Sequence, residues 1–231
     1  MATTAAKAFP WLESLQRSLD NNPDPTSRWP SLATINAKTQ PTARIVAFRG
    51  FVKDHIDEAA QKNINPAILN SIIFTTDARS AKIEELQQRR DAALCWYFQD
   101  TREQHRFQGT MRIVAGPEWE WREKELSGWN DCGVDWEEVR RAEYAKMSPT
   151  MKATFTHPPP KSPLLANTAY EAALTDTASP AQHAAALKNF ALLVFKVHEA
   201  DRLDLRPQPY LRELGGSREG SEEWESAEVC P

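Results

Sequence analysis

The stretch from Ser71 to Gly109 constrains the fold more than any other part of the chain. A short apolar run ends in Thr-Thr-Asp, and a charged helix is predicted directly after it. Two alternating strands joined by a short polar link then follow. This order brings hydroxyl groups, a helix N-terminus and a lysine together at the end of a strand. Because unpaired helix N–H groups and the helix dipole both favour an anion, the corner predicts a phosphate site.

Periodicity predicts the other elements of the chain. Strands are expected at residues 42–52, 71–76, 92–99, 103–115, 190–197, 203–206 and 224–229. Helices are expected at residues 10–20, from Asp77 or Ser80 to about residue 89, and at residues 137–147. The run Trp96 to Phe98 is interpreted as core, residues 164–178 as a polar connection and residues 215–223 as a flexible loop.

Strands dominate and are mostly joined by short links, which favours one type of architecture. We predict a mainly β fold, an antiparallel barrel with peripheral helices, in place of a doubly wound α/β sheet. The chain is expected to form a single domain over residues 1–231. Its parts would be an N-terminal helical segment (1–30), a helical and loop insertion (117–189) and C-terminal strands (190–231).

Composition and absent motifs narrow the function. A net charge of −4 argues against a nucleic-acid partner, which would need clustered lysine and arginine. The longest apolar stretch, residues 190–197, is too short for a membrane span. Three scattered cysteines and five histidines show no metal-ligand spacing, so we expect no metal site and a reduced, cytoplasmic location. Neither GxGxxG, GxxxxGK[ST] nor GxSxG occurs.

Several motifs in order nevertheless form a recognisable set. They are the run RIVAFRG from Arg44, TTDARSAK from Thr75, WYFQDTREQ from Trp96 and the ending from Trp224. Together they resemble the pyridoxamine 5′-phosphate oxidase family, the FMN-binding split barrels, most closely over residues 40–115. The resemblance implies a Greek-key split barrel, FMN as cofactor, and a homodimer with FMN in clefts between the subunits. It also implies a two-electron oxidation at the flavin, with dioxygen as the acceptor.

The resemblance also implies roles for individual residues. Arg44, Ser80 and Lys82 would bind the FMN phosphate, which needs charge-assisted donors. The backbone of Arg44, Ile45, Val46 and Ala47 would lie against the ring, with Thr75 and Thr76 beneath it. Gln104 would reach a polar ring edge, and Arg212 would contact the flavin. Arg49 and Tyr210 are the candidate substrate-binding residues, and no catalytic residue is assigned.

One departure from the family leaves the activity open. True oxidases carry an Arg-x-His motif near the C-terminus that contacts the substrate, and here those positions are Gln208 and Tyr210. Three hypotheses follow. The protein is an FMN-dependent oxidase or reductase with a small-molecule substrate, a flavin-binding module without turnover, or an antiparallel barrel that binds no flavin and serves in protein interaction.

Overall fold

The computed structural model describes residues 10–129, 132–163, 170, 172–175, 177–217 and 224–229. In these residues one sheet of nine strands has only antiparallel pairings. The strands are β1 (Ser31–Ile35), β2 (Pro41–Ile45), β3 (Ala47–Phe51), β4 (Ile72–Asp77), β5 (Asp91–Phe98), β6 (Glu103–Val114), β7 (Phe190–Asp204), β8 (Leu211–Ser217) and β9 (Trp224–Val229). Their order is β2-β1-β5-β6-β7-β4-β3, with β8 on the far half of β7 and β9 on β8. The sheet curls into a half-barrel, which confirms the predicted fold class.

Helices lie around this sheet. They are α1 (Pro10–Asp20), α2 (Glu58–Gln61), α3 (Pro66–Leu69), α4 (Ala81–Gln88), α5 (Arg122–Leu126), α6 (Trp136–Ala145), α7 (Pro149–Thr154) and α8 (Pro180–Asn189), with 3-10 turns at Pro25–Arg28 and Val52–His55. Among the described residues, none of these helices combines the length and apolarity needed to cross a bilayer.

The sheet buries apolar side chains on both faces. On the inner face, Trp96 and Phe107 pack against Leu15 of α1. On the other face of β4 and β7, Ile73 and Val194 belong to a second core that includes residues of α6 and α8. Each fully buried side chain of this size contributes roughly 1.5–3 kcal/mol, so both cores stabilise the same sheet.

Several expected boundaries were wrong. The expected strand at 42–52 is two strands, because the chain pairs with β1 up to Ile45 and with β4 from Ala47 onwards. Between them the Val46 N–H donates to the Pro30 carbonyl at 3.0 Å, and Pro30 has no N–H to return the bond. The expected short strand at 203–206 belongs to β7, which is 15 residues long. Tyr97 is not core: it is 50% exposed, because side chains alternate along β5.

Two further strands were not predicted. β1 has only five residues, and β8 contains Gly215 and Gly216, which the sequence suggests are loop. The expected loop at 215–223 therefore begins with strand residues, and residues 218–223 lie outside the described part. Most of the expected connection at 164–178 is also outside it, whereas α1, α4, α6, β6 and β9 lie close to their predicted positions.

Gly109 supports a stability prediction, because it lies where the pairing of β6 with β7 shifts register. A Cβ there would overlap the Lys196 carbonyl oxygen and lie 3.0 Å from its carbon, and main-chain atoms cannot turn aside. We expect Gly109→Ala to lower the free energy of unfolding by about 3 kcal/mol or more. Gly128 is the control, with φ +77° and no heavy atom within 4 Å of a Cβ. Its alanine variant should cost about 1–2 kcal/mol in urea unfolding, and equal losses would contradict the prediction.

Candidate functional site

The turn between β4 and α4 presents hydroxyl groups to a lysine. Asp77 closes the turn, because its Oδ1 accepts from the Arg79 N–H at 2.8 Å. Ser80 occupies the N-cap position of α4, but its side chain makes no capping hydrogen bond. Instead, the Ser80 Oγ accepts from the Lys82 Nζ at 3.0 Å and lies 3.3 Å from the Thr76 Oγ1. The hydroxyls and the ammonium therefore converge on one point beside the start of the helix.

Lys82 is held in a place that disfavours its charge. Its Nζ donates to the Thr76 Oγ1 at 2.9 Å. Burial lowers the pKa of Lys82, and the positive charge of Arg44 lowers it further, against the opposing effects of Asp77 and Glu85. Two cations thus share a partly buried corner. A bound anion would offset the repulsion between these two positive charges. The donors present therefore suit a phosphate group.

Arg44 reaches this corner from β2. Its Nη2 donates to the Glu85 Oε2 at 2.7 Å and to the Thr42 Oγ1 at 2.8 Å. Glu85 also accepts from the hydroxyls of Thr34 and Thr42 at 2.5 and 2.9 Å. Burial alone would raise the pKa of Glu85, but these hydrogen bonds outweigh burial and lower it. Glu85 therefore stays anionic and fixes the orientation of the Arg44 guanidinium.

The predicted ring-contact residues lie at the junction of β2 and β3. Ile45 is 60% exposed, whereas Val46 is buried. Ala47 pairs in register with Thr75 of β4. The Thr75 hydroxyl accepts from the Arg49 Nε at 3.2 Å. This junction is an irregular stretch of backbone with an exposed apolar side chain beside it.

Gln104 and Arg212 lie away from Arg44. Gln104 pairs with the exposed Tyr97, and through Leu203 of β7 it is aligned with Arg212 of β8. Arg44 shares its face of the sheet with buried inner residues, so Gln104 and Arg212 lie on the opposite, outer face. The Arg212 guanidinium pairs with the Asp201 carboxylate at 2.8 and 3.1 Å. Within one chain, these two residues and the Arg44 corner are separate.

Tyr210 lies just before β8 and is 39% exposed. The structure records no contact between Tyr210 and the Arg44 corner. Its suggested substrate role stays a prediction, as do the flavin roles of Gln104 and Arg212.

Several residues around these groups were not singled out from the sequence. Glu85 lies three positions after Lys82, one turn along α4, and that spacing is the only local signal for it. Thr34 and Thr42 come from β1 and β2, and only strand pairing joins them to the helix. A cleft of about 370 Å³ beside Arg49 also includes Glu143 of α6, and no sequence pattern connects these two positions.

The sequence of this chain is similar to one protein family and to several of its members. Residues 8–115 match the family model described as pyridoxamine 5′-phosphate oxidase, FMN-binding domain. A pyridoxine/pyridoxamine 5′-phosphate oxidase 2 of Arabidopsis thaliana is 34% identical over 106 residues, which are 46% of each chain. An oxidase of the same description from Sinorhizobium fredii is 29% identical over 108 residues, 47% of this chain and 43% of that one. The chain thus matches about half the length of these relatives.

Solved structures extend the similarity to nearly the whole chain. A pyridoxamine 5′-phosphate oxidase-related, FMN-binding protein of Nostoc punctiforme PCC 73102 is 26% identical, with a TM-score of 0.72. The comparison covers 98% of this chain and 100% of that one. PhzG from Burkholderia lata 383 shares the fold, with a TM-score of 0.62 at 16% identity over 99% of this chain and 94% of that one. Residues 8–115 are therefore similar to the FMN-binding domain of the pyridoxamine 5′-phosphate oxidase family, and the comparisons indicate FMN as the cofactor.

Proposed function

We propose that the protein is an FMN-dependent oxidoreductase that oxidises an amine or alcohol by two electrons, with dioxygen as the final acceptor. The observation that carries the proposal is the convergence of Thr76, Ser80 and Lys82 beside Arg44. The names of the matching relatives support the reaction type. Bound FMN supplies the redox chemistry, and the chain supplies binding and orientation.

The residues at the corner would act on the phosphate end of the cofactor. Lys82 would donate a charge-assisted hydrogen bond from its ammonium group, and Ser80 and Thr76 would donate from their hydroxyls once the lysine turns to the anion. Arg44 would add N–H groups from a guanidinium that Glu85 has already oriented. The exposed Ile45 would lie against an apolar surface of the ligand.

The absorption spectrum of the purified protein tests flavin binding. We expect a yellow preparation, with FMN identified by mass spectrometry of the released ligand. Hydrogen peroxide release on addition of pyridoxamine 5′-phosphate then tests the oxidase reaction. A colourless protein that does not take up added FMN would refute the flavin assignment.

A flavin-binding module without turnover, or an FMN reductase-type protein with another substrate, is the second candidate. Gln208 and Tyr210 offer no cation to a substrate phosphate, and the Arg212 guanidinium is already paired with Asp201. An FMN-loaded protein that releases no peroxide with pyridoxamine 5′-phosphate would favour this candidate.

We further propose that two copies form a homodimer through the outer face of β1, β2 and β5. Ile45 and Tyr97 are 60% and 50% exposed on this face, and Cys95 lies between them in the strand register. Gln104 faces outward on the neighbouring strand. A second copy on this face would cover the apolar side chains and bring Gln104 towards the other subunit's flavin.

Tyr97→Asp should weaken this dimer, because it places a charge on an apolar contact. We expect the dimer dissociation constant to rise at least tenfold, measured by light scattering over a concentration series. Met151→Asp on α7 is the control, since Met151 is 44% exposed and α7 packs against α8. A monomeric wild-type protein, or a Tyr97→Asp variant that dimerises normally, would contradict the proposal.

A further inference from the structure

A cleft beside Arg49 is built from parts of the chain that are far apart in sequence. Its volume is about 370 Å³. Phe48 and Phe51 of β3 supply aromatic surface, while α1, the first 3-10 turn and α6 supply polar groups. The charged groups of its lining are those of Arg28, Arg49, Asp54, Glu143 and Lys146.

Two guanidinium groups line the cleft without an acidic partner. Arg28 lies 6.0 Å from the centroid of the Phe48 ring, and Arg49 donates to the Thr75 hydroxyl. In the described part of the chain, neither of them forms an ion pair with a carboxylate. Because a guanidinium matches phosphate and carboxylate groups in geometry, these two residues suit the anionic group of a ligand in the cleft.

A buried carboxylate, that of Glu143, also lines the cleft. The Glu143 side chain is only 2% exposed, and its Oε1 accepts from the Lys146 Nζ at 2.7 Å. The His55 Nε2 is 3.5 Å from the same oxygen and forms no hydrogen bond. Burial lowers the pKa of His55, and Lys146 lowers it further, against the opposing effects of Glu143 and Asp54. The imidazole is therefore neutral at pH 7 and does not neutralise Glu143.

Lys146 therefore supplies the positive charge beside Glu143, and the ion pair between them is easily replaced. The Lys146 side chain is 62% exposed, and an ion pair with a solvated lysine contributes little. A protonated amine of a ligand in the cleft can replace it and donate a charge-assisted hydrogen bond to Glu143. A hydroxyl group at that position is neutral and forms a weaker hydrogen bond with Glu143.

We infer that Glu143 is a specificity-determining residue that selects an amine over an alcohol in a ligand whose anionic group contacts Arg28 and Arg49. This inference rests on the proposed function, because it decides between the two substrate types named there.

The test uses the FMN-loaded full chain and two probes that differ in one group, 2-aminoethyl phosphate and 2-hydroxyethyl phosphate. Calorimetry should show that the amine binds about tenfold more tightly or better, as expected for a hydrogen bond between charged groups. Glu143→Gln should abolish this preference, because it removes the charge that favours the amine. Lys146→Met should strengthen amine binding, because it removes the competing cation.

Glu138→Gln is the matched control, because Glu138 is an exposed glutamate on the same helix, and it should keep the preference. Circular dichroism confirms that each variant folds. A flavin-loaded wild-type protein that binds neither probe, or binds both equally, would overturn the inference and leave the proposed function standing. Amine preference in a protein that holds no flavin would refute the proposed function alone.

Discussion

Lys82→Met is expected to raise the FMN dissociation constant by about ten- to a hundredfold while the protein stays at least as stable. In the ligand-free protein the positive charge of Lys82 is unfavourable, because burial and Arg44 both lower its pKa. The same charge favours binding of the phosphate. Methionine removes the disfavoured charge and keeps the apolar stem. The lost interaction is a hydrogen bond to a charged group, which contributes about 1.5–3 kcal/mol. Flavin fluorescence measures the dissociation constant, and urea unfolding of the ligand-free protein measures stability.

The double variant Arg44→Ala with Lys82→Ala should lose flavin on gel filtration. Here stability also changes, because removing Arg44 leaves the Glu85 carboxylate without its cation. Adding Glu85→Gln restores a neutral corner and serves as the control for stability, but it should not restore flavin binding. Full flavin content in the double variant would show that the phosphate binds elsewhere.

The corner could be predicted because its parts are close in sequence. Thr76, Ser80 and Lys82 lie within seven residues, so a strand end followed by a helix start brings them together whatever surrounds them. Alternation along β6 likewise predicts one apolar face, and on it His105, Phe107, Met111 and Ile113 are all buried. The local sequence is sufficient to predict both the corner and the buried face of β6.

The remaining features depend on pairing between distant segments. Glu85 is 41 residues from Arg44, and their ion pair exists only because α4 packs against the β1–β2 hairpin. The change of pairing partner from β1 to β4 at Val46 divides the expected strand, and no local propensity predicts that change. Glu143 reaches the cleft of Arg49 from α6, more than ninety residues later. Such contacts belong to the tertiary structure and leave no local pattern.

Acidification from pH 6.5 to pH 4 is expected to lower the free energy of unfolding by about 3 kcal/mol through His105 alone. His105 is 1% exposed, and burial lowers its pKa from 6.5 to about 4, with Arg202 and Arg17 acting in the same direction and Glu103 opposing. Between these two pH values the unfolded chain binds a proton that the folded chain does not. Stability is therefore complete above pH 6.5 and falls as the pH drops. His55 and His198, whose pKa values burial also lowers, contribute in the same sense.

The loss of stability at low pH should appear first where α1 packs against the sheet. The Ser18 Oγ of α1 donates to the Glu103 Oε2 at 3.0 Å and lies 2.9 Å from the His105 Nε2. Protonation of His105 would therefore place a buried charge at the contact between α1 and β6. Urea unfolding at several pH values measures the slope, and His105→Gln should flatten it. An unfolding free energy that is constant from pH 6.5 to pH 4 would show that the buried imidazole takes up its proton within the fold.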